Sequence, residues 1–313
     1  MTENHELFQR DKEFSKLVKK ARRKSLLRNI FVSVSVSILL FGGLFWIGTF
    51  MMYRNAEETN THDYMWQFVK GANVENNGSI YTNTPFSTTV TTERFKEIGG
   101  VPIPWGHHEK VFSIFGTSRE IQTSMVSSSG SINDDRIPLY FQGERVVEFY
   151  DPSANYSVLP DDRDILDEIP ESQVVEMAFS FDQDYTINEV QEKFSDQLAW
   201  YWVDAATAVE KEGAQEPLSG EDAIGFVSRM EETNEDTAAM FIQHVEWLQS
   251  EEDSPGEAQR LYDALTEEGK TEAAPETLNI TGAVVTGTAE ELKQYNEEPM
   301  IRAAVLGATA NKY

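Results

Sequence analysis

The chain has 313 residues, enough for one or two domains with cores of their own. Its net charge of −27 excludes a nucleic-acid binder, which needs basic surface to neutralise phosphates. No cysteine is present, which excludes disulfides, CxxC redox chemistry, thiolate zinc sites and cysteine nucleophiles. An outer domain without disulfides must hold by its core alone, a habit of bacterial surfaces; the sequons at Asn77, Asn155 and Asn279 then read as accidental.

The charge is unevenly placed. Residues 1–28 carry nine basic and four acidic side chains; taking these from the totals of 26 and 53 leaves 17 basic and 49 acidic residues beyond. An acidic body hangs on a basic tail. Within the tail, Leu7, Phe14, Leu17, Val18 and Ala21 fall on one helical stripe, with lysines and arginines around it. A single short helix cannot bury such a stripe against itself. It suits either the anionic inner leaflet or a groove on a cytosolic protein.

Residues 29–53 contain no charge. At about 1.5 Å per residue the run spans a hydrocarbon layer about 30 Å thick. The Val/Ser alternation at 32–37 would suit a strand in water. In lipid a lone strand leaves its backbone unpaired, so a helix is expected. Arg22, Arg23, Lys24 and Arg28 flank its start, whereas Arg54 is followed by Glu57 and Glu58 beyond its end. The positive-inside rule therefore places the N-terminus in the cytoplasm, with Trp46 and Tyr53 at the far interface.

Residues 54–165 read as a β-rich, membrane-proximal region. Strands are expected near Ser79–Tyr81, Ser87–Thr92, Val111–Phe115, Ile121–Val126, Leu139–Phe141 and Arg145–Tyr150. Turns are expected at Asn76-Asn77-Gly78, Gly99-Gly100 and Ser128-Ser129-Gly130.

Residues 166–313 carry one plan twice. A strand at Val174–Phe181 leads to a capping box, Thr186 with Glu189, a short helix, and a strand at Ala199–Val203. A strand at Ile280–Val285 leads to a second box, Thr288 with Glu291, a helix through Tyr295, and a strand at Ile301–Leu306. Thr186 to Trp200 and Thr288 to Arg302 are both fourteen positions apart, and Val190 and Leu292 hold the same core-facing place. Two βαβ units give an α+β fold with helices on one face of a sheet. Between them lie two helices. One has an apolar face of Ala238, Phe241, Ile242, Val245 and Leu248. The other is capped by Ser254-Pro255-Gly256-Glu257, with Gly269 as its stop. Residues 210–222 and 268–276 read as acidic linkers. The run Trp200-Tyr201-Trp202 reads as a core strand first and as a ring at a binding groove second.

Little in the sequence speaks of chemistry. It holds no GxSxG, SxxK, HExxH, GxGxxG or P-loop pattern, so no catalytic residue, cofactor or metal is expected. His107-His108-Glu109 is the only histidine cluster and reads as a surface loop; successive side chains on an extended segment diverge from a shared metal. His244 sits beside an apolar helix face as partly buried structure, and His62 follows the span without a visible partner.

The segments VVEMAFSFDQDYTINEVQEKF, LAWYWVDA, ITGAVVTGTAEELKQY and IRAAVLGATANKY, with the basic helix running into RNIFVSVSVSILLFGGLFWIGTF, resemble the sigma factor regulator family of Gram-positive bacteria. The likeness is stronger over 170–313 than over 14–105. It implies a membrane-bound anti-sigma factor whose cytoplasmic part restrains an extracytoplasmic-function sigma factor and whose outer part senses envelope conditions. The His/Cys zinc motif of another anti-sigma class is absent. The short inner tail leaves room for one helix docking in a groove of the sigma factor, or beside a co-anchored membrane regulator. A membrane-anchored binding module without inward signalling is the alternative.

Overall fold

A computed structural model describes residues 3–121, 126–128, 136–206, 216–228, 234–251, 256–266 and 273–312, with the side chains of 3–13, Val126 and Asn234 left aside. The uncharged run 29–53 is helical, and nothing in the sequence on either side of it stops the helix. Helix α1 accordingly runs unbroken from Glu3 to Gln67. The extended region expected from residue 54 thus begins later. Arg54 and Glu58 form a 2.7 Å pair one turn apart, a contact that favours continued helix. The apolar side chains between Leu26 and Phe50 are largely exposed, as a helix dissolved in lipid requires.

Four antiparallel strands follow in sequence order: β1 (Glu75–Asn83), β2 (Ser87–Ile98), β3 (Val101–Ser113) and β4 (Ser118–Ile121). Thr88, Thr89, Val90, Thr91 and Thr92 in β2 supply the β-branched surface that a pleat favours. The turn expected at Asn76-Asn77-Gly78 is instead a bulge within β1, where the register slips between Asn76 and Ser79 and Gly78 has φ +79°. The turn at Gly99-Gly100 forms, both residues with positive φ. Strand β3 starts ten residues before the expected Val111, through a stretch with Pro102 and Pro104. That stretch pairs only with β2, because β4 covers no more than Glu109–Phe112, so the prolines lie on an edge. Phe115 falls in the turn after β3.

Short strands lead onward: β5 (Val126–Ser128), β6 (Leu139–Phe141), β7 (Glu144–Arg145) and β8 (Glu148–Phe149). The strand expected at Arg145–Tyr150 is thereby divided in two. Residues 122–125 and 129–130 of the neighbouring expectations lie outside the described residues.

The rest of the chain builds a five-stranded antiparallel sheet. Its elements are β9 (Gln173–Tyr185), α2 (Ile187–Phe194), β10 (Leu198–Val203), β11 (Leu218–Ser219), β12 (Gly225–Val227), α3 (Asn234–Glu251), α4 (Glu257–Thr266), β13 (Ile280–Thr288), α5 (Ala289–Leu292) and β14 (Ile301–Asn311). Strand β11 pairs with β8 outside this sheet, whose order is β12-β10-β13-β9-β14. The strands joined by α2, β9 and β10, are parallel with β13 between them. Those joined by α5, β13 and β14, are parallel with β9 between them. Each βαβ unit is split by a strand of the other, the interlocked plan of ferredoxin-like sheets.

Local chemistry explains both crossovers. Thr186 N donates to Glu189 Oε2 at 2.8 Å and Glu189 N to Thr186 Oγ1 at 3.3 Å. Thr288 and Glu291 make the same reciprocal pair at the same distances. Helix α5 then tightens into a 3₁₀ turn, Lys293–Tyr295, where a longer helix was expected. The Ser254-Pro255 cap and the Gly269 stop lie outside the described residues.

The two sheet faces bury different partners. Tyr201, Phe179, Ala283 and Ala304 face a helical layer from α2, α3, α4 and α5. Trp200, Trp202, Ala178, Val284 and Val305 face Val147, Phe149 and Tyr150 from before β9. The aromatic run is therefore core strand, with rings alternating between faces. A Cβ on Gly282 would stand 2.6 Å from the Trp202 ring, so glycine there admits the indole.

One buried ion pair ties the meander to the sheet. Lys96 Nζ of β2 donates to both carboxylate oxygens of Glu176 on β9 at 2.9 Å, with side-chain exposures of 2 and 0%. Asn73 Nδ2 and Ala308 N donate to the same carboxylate, and the ammonium stands 4.2 Å from the centre of the Trp105 ring. Lys96→Met leaves that carboxylate buried without its cation and is expected to cost about 3–5 kcal/mol. Adding Glu176→Gln, which keeps an acceptor without the charge, should restore much of the loss in urea unfolding of the detergent-solubilised protein. Equal stability of the single and double variants would contradict this account.

Candidate functional site

Two regions of α1 stand out, an exposed one near its start and a packed one at its end. In the first, Phe14, Leu17, Val18 and Ala21 recur at i, i+3, i+4 and i+7 on one face, and all are exposed. Lys16, Lys19, Lys20, Arg22, Arg23, Lys24 and Arg28 surround them and are exposed as well. Leu7 lies on α1, but its side chain is outside the described residues.

The second region is the last four turns of α1, where the helix enters the folded body. Met52 and Ala56 are buried against Val90 and Phe112 of the meander. Asn60 accepts from Ser79 at 2.8 Å, and Asp63 from Lys110 at 2.6 Å. Met65, Trp66 and Val69 then pack on the helical layer of the sheet. The Phe68 ring stacks on His244 of α3, 4.5 Å apart and 8° from parallel. The helix is thus fixed first to one sheet and then to the other.

Between these contacts opens a polar cleft of about 510 Å³. His62 and Gln67 of α1 line it with Arg94 of β2, His107 and His108 of β3, and Glu221 from the loop before β12. Arg94 donates to Glu221 at 3.1 Å, and the same carboxylate takes the indole N–H of Trp105. Lys70 lies 3.2 Å from both Glu257 and Asp222. Burial alone would depress its pKa, yet the two carboxylates outweigh burial and raise it. Gln67 Oε1, Asn76 Oδ1 and Arg94 Nε are buried here with no hydrogen-bond partner among the described residues. Two acceptors and one donor on the cleft wall are thus left unpaired by the described residues.

His107 and His108 lie on strand β3, not on a surface loop. His108 Nε2 stands 2.9 Å from Glu120 Oε1. The register of β2 and β3 slips between Glu93 and Phe95, and Gly106 has φ +77°. Both histidines line the cleft just past this bulge, despite their adjacency in sequence. No metal-ligating cluster occurs among the described residues.

Residues 15–103 match the model of the sigma factor regulator N-terminal family, and residues 166–308 that of the sigma factor regulator C-terminal family. The chain belongs to the sigma factor regulator family. It is also 20% identical to the probable anti-sigma-M factor YhdL of Bacillus subtilis (strain 168) over 308 residues, covering 91% of this chain and 80% of that protein. No solved structure matches it significantly. The C-terminal match spans the interlocked sheet, and the N-terminal match spans the end of the tail, the apolar helix and most of the meander. Both matches therefore fall on the elements that α1 joins.

The cleft was not legible in the sequence. Only its histidines stood out, because Gln67, Asn76, Arg94 and Glu221 come from four separate segments. His244 behaves as partly buried structure. Burial lowers its pKa from the ordinary 6.5, and its bond to the Met240 backbone offsets this only in part. The unfolded chain therefore takes up this proton first as the pH falls. Stability from His244 should be full above about pH 6.5 and decline as the pH drops through that value towards the lower folded pKa. Thermal unfolding of His244→Phe at pH 7 and pH 5 should show a smaller pH difference than the parent protein; an unchanged difference would assign the acid sensitivity elsewhere.

Proposed function

We propose that this protein is a transmembrane anti-sigma factor. Its parts are a cytoplasmic tail at 1–28, a span at 29–53, an outer region at 54–165 that opens with the end of α1 and is β-rich from Glu75, and an α+β outer domain at 166–313. The exposed stripe of Phe14, Leu17, Val18 and Ala21, with Leu7 completing it, docks in a groove of an extracytoplasmic-function sigma factor or on a co-anchored regulator. Arg22, Arg23, Lys24 and Arg28 hold the tail on the inner side. The outer domain receives the envelope signal, and the cleft with its three orphaned polar atoms is where it arrives.

The observation that carries this reading is the continuity of α1. One helix bears the apolar stripe at its start, the membrane-length run in its middle and the cleft residues at its end. A bare anchor needs only the middle part. The similarity to a probable anti-sigma-M factor supports the choice of partner.

Phe14→Asp and Leu17→Asp each remove an anchor residue and are expected to weaken sigma-factor binding about thirtyfold or more, as for an interface hot spot of at least 2 kcal/mol. Crosslinking pull-down and regulon transcription would register the release; unchanged transcription would reduce the tail to an anchor. Gly48 tests the coupling separately. A Cβ there would stand 2.7 Å from the Ile114 carbonyl oxygen. Gly48→Leu should force α1 off the meander, leave tail binding intact and abolish the response to the inducing condition. A normal response would show that this contact does not transmit.

A further inference from the structure

The meander stands on end beside α1, and the contacts between them form a ladder. The Phe86 ring meets that of Phe45 at 6.0 Å, nearly perpendicular. A Cβ on Gly48 would touch the Ile114 backbone. Met52 packs with Phe112. These positions fix the depth of the meander relative to the helix. Phe45 lies eight residues before Tyr53, the last residue of the uncharged run, about 12 Å along the axis; Gly48 lies about 7.5 Å before it. A run of 25 residues (29–53) exceeds the roughly 20 needed to cross, so only a few residues at each end remain in the headgroup layer. The turns that touch Phe45 and Gly48 therefore sit at or below the outer headgroups.

The chemistry of these turns fits that depth. In a body of strongly negative charge, residues 82–89 (TNTPFSTT) and 111–118 (VFSIFGTS) carry no charge. At their tips Phe86 and Phe115 are 59% and 81% exposed, while Phe112 packs inward against Met52. Their backbone N–H groups are nevertheless paired. Thr84 N donates to Ser87 O, Phe86 N and Ser87 N to Thr84 Oγ1, Ile114 N to Phe86 O, Phe115 N to Ser113 Oγ, and Gly116 N to Ser113 O. Buried polar groups exposed to lipid must be satisfied within the protein, and these are. Phenylalanine is among the apolar side chains that membrane-surface segments bury at the boundary of headgroups and acyl chains.

We propose that the two hairpin tips bearing Phe86 and Phe115 insert into the outer leaflet and form a lipid-contact surface beside α1. The outer domain thereby grips the bilayer at three places, the helix and two tips. This rests on α1 spanning the membrane. The tips add what the helix alone lacks: a hold on the tilt of the domain relative to the membrane plane.

The absence of cysteine makes the test direct. Phe86→Cys, Phe115→Cys, Leu39→Cys (mid-span) and Glu290→Cys (exposed on the outer domain) each give a single site for a nitroxide label in the full chain. In phosphatidylcholine–phosphatidylglycerol vesicles, collisions with oxygen and with a water-soluble nickel chelate report depth. Labels at 86 and 115 should lose nickel collisions and gain oxygen collisions as at 39, while 290 keeps its nickel collisions. Shielding at 39 with nickel-accessible labels at 86 and 115 would overturn the tip proposal and leave the anchor standing. Nickel access at 39 itself would sink the spanning reading, and the tips with it. Loss of both kinds of collision at 86 and 115 would mean burial against protein and would overturn the lipid contact.

Discussion

The salt bridge between Lys96 and Glu176 is the joint on which the folded body depends. It lies where β2, β9, β14 and the Asn73 loop meet, and a third cluster of buried apolar residues, from Val74 to Ala310, closes around it. A buried charge pair seldom adds net stability over an apolar pair of the same shape. What it adds is uniqueness: a lysine from one sheet and a glutamate from the other have a single arrangement in which neither stands alone. The meander is thereby set at one angle to the five-stranded sheet, and the cleft between them acquires a fixed shape.

That shape gives α1 its meaning. The helix emerges from its apolar run already packed on the meander, crosses the cleft and ends at Gln67, after which Val69 enters the core of the sheet. A change in the cleft must alter how the last turns of α1 are held, because Asn60, Asp63 and Gln67 belong at once to the helix and to the cleft wall. The charge is divided along the same chain, basic at the start of α1 and acidic over the folded body.

Much of the α+β part was legible in the sequence because its signals are local. Each capping box lies within four residues, and the repeated fourteen-residue offset revealed two crossovers of equal length. The interlocking of the two units was not legible, since strand order depends on distant pairings such as Trp200 with Val284 and Ala178 with Val305. Strand β3 was partly hidden by its prolines, which a helix or inner strand rejects and an edge accepts. The persistence of α1 past Tyr53 was hidden because Arg54, Glu57 and Glu58 read as the polar far side of a membrane, although the same residues serve a helix well. Glu176 did leave a trace, as a lone acid within VVEMAFSF. Its partner came from another sheet and left none.

A helix of 65 residues also fixes an orientation. Each residue of an α-helix turns the next by about 100°. The compass bearing of the Phe14–Ala21 stripe relative to the cleft is therefore set by the number of residues between them. Chain length in α1 acts as a gear setting: one residue more or less would leave every side chain in place and yet turn the stripe to a different bearing.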